Sequence, residues 1–282
     1  MCRFTAYLGR KPILLASLLK DHEHSLIRQS LEARETKTGL NADGFGVGWF
    51  DRKIQEKPGL FKSTQPAWND RNLSSLAELV QSDAFIAHIR ASTVGDVSLD
   101  NCHPFHFHNL LGAHNGTIRG FSSIRRAIYN LLPEDIFQQI KGNTDSEHLF
   151  ALIASFFLES TTPSLENLAE STRKGLHKIE ELLSRYHPDG DVRTNLAISN
   201  GNFLLATRYQ FPTDRDPIGL YYSFTKQNPR DHHIDFVSAD EDYDGIVVAS
   251  ERLTEASETW EEIPANHFLL VCRNLQIRLH QV

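Results

Sequence analysis

At 282 residues, with 40% hydrophobic and 10% aromatic content, the chain has material for one large core or two small ones. A net charge of −7 argues against a nucleic-acid surface, which needs clustered Lys and Arg; residues 119–126, with three arginines, read as a solvated loop and helix face. Three scattered cysteines, Cys2, Cys102 and Cys272, argue against a disulfide framework and for a reducing, cytoplasmic setting.

In chain order, CRFTAYLG alternates as a strand running from the terminus, and residues 12–33 carry leucines at helical spacing. PILLASLL is short, flanked by Lys11 and Lys20, and has no small-residue cleavage site, so no signal peptide is expected. NADGFGVGWF leads from a turn into a glycine-studded strand, a mark of close backbone or ligand approach. AFIAHIRAST (84–93) and LLGAHNGTI (110–118) read as strands ending in polar residues. Residues 145–157 and 164–186 read as helices, starting near the capping-type residues Asp145 and Ser164. The apolar run 151–158 is too short to span a bilayer.

The last third returns to strands. LAISNGNFLLATRY places Asn200-Gly201 between two apolar runs, a hairpin signal, and GLYYSF, GIVVAS and HFLLVCRNLQIRL follow. The loop at 209–217 is the weakest point, but the strands on both sides fit one sheet system. Strands, then helices, then strands predict an α+β domain. No repeat or linker divides it, so residues 2–282 are expected to be one domain.

Several residues could carry chemistry. Cys2 follows Met1, the only methionine; removal of Met1 would put a thiol and a free α-amine on one residue. Such an amine, with a pKa of about 7.7–8.0, can act as a general base. Otherwise Cys2 is a small buried strand residue. Arg90 and Thr93 end an apolar strand, where a guanidinium fork with a hydroxyl suits a carboxylate; a surface ion pair is the plainer reading. Asn115-Gly116 is either a hairpin turn or a pair of donors aimed at an oxyanion. Asp145 is either a helix N-cap or a grip for an ammonium group. His103, His106, His108 and His114 crowd near Cys102, which makes zinc conceivable, yet there is no CxxC or HxxxH and the spacing fits no common zinc module.

MCRF, NADGFGVG, AHIRAST-VG, NCHPF, AHNG and NTDSE, in this order, resemble the class II glutamine amidotransferases among the N-terminal-nucleophile hydrolases. The resemblance is dense over residues 2–150 and continues through GIVVASERLT and WEEIPANHFLLV. It implies a four-layer αββα sandwich of two antiparallel sheets between helical layers. By the same resemblance Cys2 is the nucleophile and its α-amino group the base, with Asn115 and Gly116 forming the oxyanion hole. Arg90 and Thr93, with His103 in the same wall, would hold the substrate α-carboxylate, and Asp145 the α-ammonium. The chemistry implied is hydrolysis of a γ-glutamyl amide through a Cys2 thioester, with no metal or organic cofactor.

Two departures from the larger members stand out. Ala91 and Val94 replace a Trp and a His common in the arginine motif, and no synthase domain accompanies the glutaminase-like unit. The form MCRF with RAST-VG is closer to stand-alone γ-glutamyl hydrolases, such as those of ergothioneine synthesis and glutathione breakdown. The alternatives are a glutaminase subunit feeding ammonia to a separate synthase partner, and a non-catalytic regulatory subunit of the same fold.

Overall fold

The computed structural model describes residues 2–32, 41–92, 95–160, 162–214, 217–228 and 233–282, and element counts are of these residues. Met1, Thr93 and Val94 lie outside them. The first half runs β1 (Arg3–Leu14), α1 (Ala16–Leu19), α2 (Leu26–Leu31), β2 (Phe45–Trp49), β3 (Gly59–Ser63), α3 (Arg71–Leu79), β4 (Gln81–Ile89), β5 (Phe105–Phe107) and β6 (Leu110–Arg119). Four helices follow: α4 (Phe121–Tyr129), α5 (Glu134–Phe137), α6 (Asp145–Leu158) and α7 (Leu165–Tyr186). The chain closes with β7 (Asp191–Ser199), β8 (Phe203–Phe211), β9 (Tyr221–Gln227), β10 (Ile234–Val237), β11 (Gly245–Ala249), β12 (Trp260–Glu262), β13 (His267–Cys272) and β14 (Ile277–Gln281).

Two antiparallel sheets result. One has the order β10-β9-β11-β1-β4-β2-β3, with β12 also on β9; the other has the order β14-β13-β8-β7-β6-β5. Strand alternation sorts the side chains into three apolar layers. Phe4, Ala6 and Leu8 of β1 meet Leu111 and Ala113 of β6 between the sheets. Tyr7, Phe45, Val47 and Phe85 face outward against Leu18, Leu19, Leu26 and Leu73 of the first helices. On the far side, Ile198 and Leu205 pack with Leu149, Ile153, Leu176 and Ile179 of α6 and α7. Full burial of such a side chain contributes about 1.5–3 kcal/mol, so each layer has enough apolar material to hold its sheet. The architecture is the αββα sandwich.

Three expectations are corrected. The helix over 12–33 gives way to a longer β1, which resumes pairing at Ile13↔Ser82 and Leu14↔Gln81 after an irregularity. The sheet partner outweighs the leucine spacing, and only α1 and α2 are helical there among the described residues. The strands flanking 209–217 do not share a sheet: β8 lies in the six-stranded one and β9 in the other. Asn115-Gly116 is no turn, since both lie within β6 opposite Asn195 and Thr194. The Asn200-Gly201 hairpin joins β7 to β8, with Gly201 at φ +83°. Among the described residues, no helix is long and apolar enough to cross a membrane.

Candidate active site

Cys2 precedes β1 at the edge of the inter-sheet layer, where Arg3 pairs with Ile89 at the end of β4. Its Sγ–H donates to the Ala91 carbonyl at 3.3 Å, and the Ala91 N–H donates back to the sulfur at 3.4 Å. Burial pushes the thiol pKa up, opposed by the Ala91 N–H and the Arg90 charge, while Asp145 adds to the rise. The thiol is therefore protonated at neutral pH and needs a base to become a nucleophile.

Arg90 is buried at the end of β4. Its guanidinium donates to the Asp96 and Gly95 carbonyls at 3.0 and 3.3 Å and to Ser92 Oγ at 3.1 Å. It thus shapes the loop that follows, in addition to lying near Cys2. Asn101 ties that loop to the entrance of α6: its Nδ2 donates to the Asp96 carbonyl and to Asn143 Oδ1, both at 2.9 Å, and its Oδ1 accepts from Asn143 N–H at 3.0 Å. Asn101 stands in NCHPF, but nothing in the sequence pattern separates it from its neighbours.

Asp145 is the first residue of α6 and is not its cap. Thr144 is the N-cap, its hydroxyl accepting from Glu147 N–H at 3.2 Å. This leaves the buried Asp145 carboxylate free to turn toward β6, where it accepts from Ile118 N–H at 2.8 Å and from Ser146 N–H at 2.9 Å. Among the described residues Asp145 makes no ion pair, an uncommon state for a buried carboxylate.

Asn115 is wholly buried on β6, its Nδ2 donating to Ser250 Oγ at 3.4 Å and its Oδ1 without a partner among the described residues. Ser250 follows β11 in the other sheet, so this contact spans the two sheets beside Cys2. Ser250 Oγ also accepts from Phe4 N–H at 3.1 Å, and Ser250 N–H donates to the Phe4 carbonyl at 3.0 Å. Next to it, Glu251 forms an ion pair with Arg3 at 2.5 Å; the two side chains are 4% and 1% exposed. Arg3 Nη1 donates to the Cys2 carbonyl at 2.8 Å. Arg3, Ser250 and Glu251 were not singled out from the sequence, although MCRF and VVASERLT contain them. Gly116 is required by the strand itself, since a Cβ there would lie 1.9 Å from the Arg193 carbonyl oxygen.

The histidines divide. His88, His103 and His114 are buried together: the His103 ring lies 4.0 Å from that of His88 and 6.5 Å from that of His114. His88 Nε2 bonds to the His114 carbonyl at 3.2 Å, and His114 Nδ1 to Ser146 Oγ at 2.7 Å. Both ring nitrogens of His103 lack a partner among the described residues. Burial holds all three imidazoles neutral, pushing His88 down to about 3 and His103 well below its ordinary value. His106 and His108 do not join them: His106 is exposed, and His108 sits past the end of β5 at φ 53° beside Asp135. His106 and His108, although two residues apart, therefore do not share a strand face. Among the described residues, no three His, Cys, Asp or Glu side chains are grouped to hold a metal.

Arg90 and Asp145 thus lie within electrostatic reach of the Cys2 thiol, Asn115 reaches the start of β1 through Ser250 with Gly116 beside it on β6, and His103 packs against His88 and His114. Thr93 lies outside the described residues.

Comparison with known proteins bears on the family and the fold. Residues 15–280 match the family described as glutamine amidotransferases class-II. The chain is 33% identical to the probable glutamine amidotransferase DUG3 of Saccharomyces cerevisiae, over 100% of this chain and 84% of that protein. It is 28% identical to the gamma-glutamyl-hercynylcysteine sulfoxide hydrolase of Mycolicibacterium smegmatis, over 95% of each. Among solved structures, a glutamine aminotransferase class-II domain protein from Silicibacter pomeroyi superposes with a TM-score of 0.68 at 25% identity, covering 99% of both chains. The glutamine phosphoribosylpyrophosphate amidotransferase of B. subtilis shares the fold, with a TM-score of 0.61 at 17% identity and 49% of its length covered. With the family matched over nearly its whole length and the sandwich fold in place, this chain is a member of the class II glutamine amidotransferases.

Proposed function

We infer that the protein hydrolyses a γ-glutamyl amide, with residues 2–282 acting as one catalytic unit in a reducing, cytoplasmic compartment. The observation that carries this reading is that a buried guanidinium, Arg90, and a buried carboxylate with no cation partner among the described residues, Asp145, both lie within electrostatic reach of the Cys2 thiol. A free amino-acid head group is a zwitterion: Arg90 and Thr93 take its carboxylate and Asp145 its ammonium, which leaves the side-chain carbonyl at Cys2. The unpaired nitrogens of His103 offer further hydrogen bonds in the same wall.

Removal of Met1 frees the α-amine of Cys2, which takes the thiol proton as sulfur attacks the γ-carbonyl. A C–S bond forms, and the carbonyl π pair moves to oxygen. Asn115 Nδ2 and Gly116 N–H stabilise that oxyanion, each donor contributing about 3 kcal/mol in comparable sites. The pair returns, the C–N bond breaks, and the Cys2 ammonium protonates the leaving amine. Water, deprotonated by the same amine, then attacks the thioester, releasing glutamate and restoring the thiol. The mycobacterial relative is named for hydrolysis of a γ-glutamyl compound, which favours a stand-alone hydrolase over an ammonia-supplying subunit.

The test is turnover: the purified protein is offered glutamine, glutathione and γ-glutamyl-p-nitroanilide, and released glutamate is measured. Release from at least one, abolished in Cys2→Ala, is expected. Release that persists in Cys2→Ala would overturn the proposal.

A further inference from the structure

We propose that the consecutive residues Ser250 and Glu251 are a positioning pair that sets the nucleophile and the oxyanion donor relative to each other. The idea rests on the γ-glutamyl hydrolysis proposed above and extends it to residues outside the substrate pocket. It starts from the two sheets. Cys2 leads directly into one and Asn115 lies in the other, so their separation is set by whatever crosses between the sheets beside them.

Ser250 makes that crossing. Its Oγ receives Phe4 N–H from β1 at 3.1 Å and Asn115 Nδ2 from β6 at 3.4 Å. The second bond is long and so easily given up. Meanwhile Asn115 Oδ1 is buried with no partner among the described residues. Turning the Asn115 amide by half a rotation lets the Ser250 hydroxyl donate to Oδ1, while Oγ still accepts from Phe4 N–H. Nδ2 is then freed for an oxyanion. Ser250 thus holds the amide in either orientation at one fixed place.

Glu251 governs the other half. Its carboxylate fixes Arg3 through Nε at 2.6 Å and Nη2 at 2.5 Å. Arg3 Nη1 in turn holds the Cys2 carbonyl at 2.8 Å. With that carbonyl held and the Phe4 carbonyl anchored on Ser250 N–H, the peptide plane after Cys2 is fixed. Only rotations about the Cα–C and Cα–Cβ bonds of Cys2 are then left to place its α-amine and sulfur. A buried ion pair is a costly way to gain stability, whereas an ordered nucleophile is a direct return from it.

The experiment uses Ser250→Ala, Ser250→Thr, Glu251→Gln and the double variant Arg3→Gln/Glu251→Gln, which leaves no buried charge unpaired. Turnover of γ-glutamyl-p-nitroanilide is normalised to titrated Cys2 thiol, and Cys2 alkylation by iodoacetamide is followed against pH. Ser250→Ala is expected to lower kcat about 10- to 100-fold, with KM and the alkylation rate within about twofold of wild type. Ser250→Thr, which keeps the hydroxyl, recovers most of kcat. Glu251→Gln and the double variant are expected to slow Cys2 alkylation near pH 7 about tenfold, because the amine no longer faces the thiol. Unchanged kcat in Ser250→Ala, or unchanged alkylation in both Glu251 variants, would overturn the positioning role. Alkylation needs no γ-glutamyl recognition. A wild-type protein inert toward every γ-glutamyl amide, yet showing the alkylation difference, overturns the proposed function and leaves the Glu251 role supported.

Discussion

The Cys2 sulfur rests against the backbone of Ala91, donating to its carbonyl at 3.3 Å and accepting from its N–H at 3.4 Å. This contact holds Cys2 as a thiol at the end of β4, next to Arg90. Replacing Cys2 with Ala removes the thiol without enlarging the side chain. Turnover of a γ-glutamyl amide is expected to fall at least about a thousandfold. The thermal midpoint should stay within a few degrees, since Cys2 is not part of the three apolar layers. Steady-state kinetics and calorimetry on the same preparation check both statements.

Asp145 offers a second prediction. Asp145→Asn keeps an acceptor for Ile118 N–H but loses the charge that would pair with a substrate ammonium. Removing one partner of a buried charge pair costs about 2–5 kcal/mol, so kcat/KM for γ-glutamyl-p-nitroanilide should drop by about 30-fold or more. Glutaryl-p-nitroanilide, which lacks the α-amino group, should be handled alike by wild type and variant. Equal losses on the two substrates would assign Asp145 to the fold alone.

The buried histidines predict an acid limit to stability. Folded, His88 is pushed down to about 3 by burial, and His103 and His114 are lowered for the same reason. Unfolded, each titrates near 6.5, so below that pH the unfolded chain binds more protons and stability falls. Above about 6.5 the contribution is complete and constant. Each histidine adds a slope of up to about 1.4 kcal/mol per pH unit on the acid side, reaching down to about 3 for His88. Urea unfolding from about pH 7 to 4 should show this slope, reduced by about one proton's worth in His88→Asn.

Gly116 is constrained by β7 itself. The Cβ of Gly116→Ala would sit 1.9 Å from the Arg193 carbonyl oxygen, a backbone atom that cannot swing away. Overpacking of this kind costs about 1–3 kcal/mol, which should appear as a lowered urea midpoint at unchanged m-value. Turnover per folded molecule should fall as well, because Asn115 is the adjoining residue on β6.

Much of the fold was legible where local and tertiary preferences agree. The helices at 145–158 and 165–186 and the Asn200-Gly201 hairpin were read close to their boundaries. Reading failed where a distant partner decides. Leucines at helical spacing did not outweigh the pairing of Ile13 and Leu14 with β4, and Asn115-Gly116 looks like a turn until β7 is placed beside it. The assignment of β8 and β9 to different sheets has no local signal at all. In the site, single residues were ambiguous and their order along the chain was informative. Arg3, Asn101, Ser250 and Glu251 stayed hidden because each has a partner far away in sequence: Arg3 and Glu251 pair across 248 residues, Ser250 and Asn115 across 135, and Asn101 and Asn143 across 42.

The central claim is that Cys2, at a processed terminus, is the nucleophile for a γ-glutamyl group. Intact mass of the purified protein, before and after a diazoketone analogue of glutamine, tests it most directly. The account requires a mass lacking Met1 and one added analogue residue, mapped to Cys2 and absent from Cys2→Ala. A protein that lacks Met1 and gains no adduct, or gains it elsewhere, would contradict it.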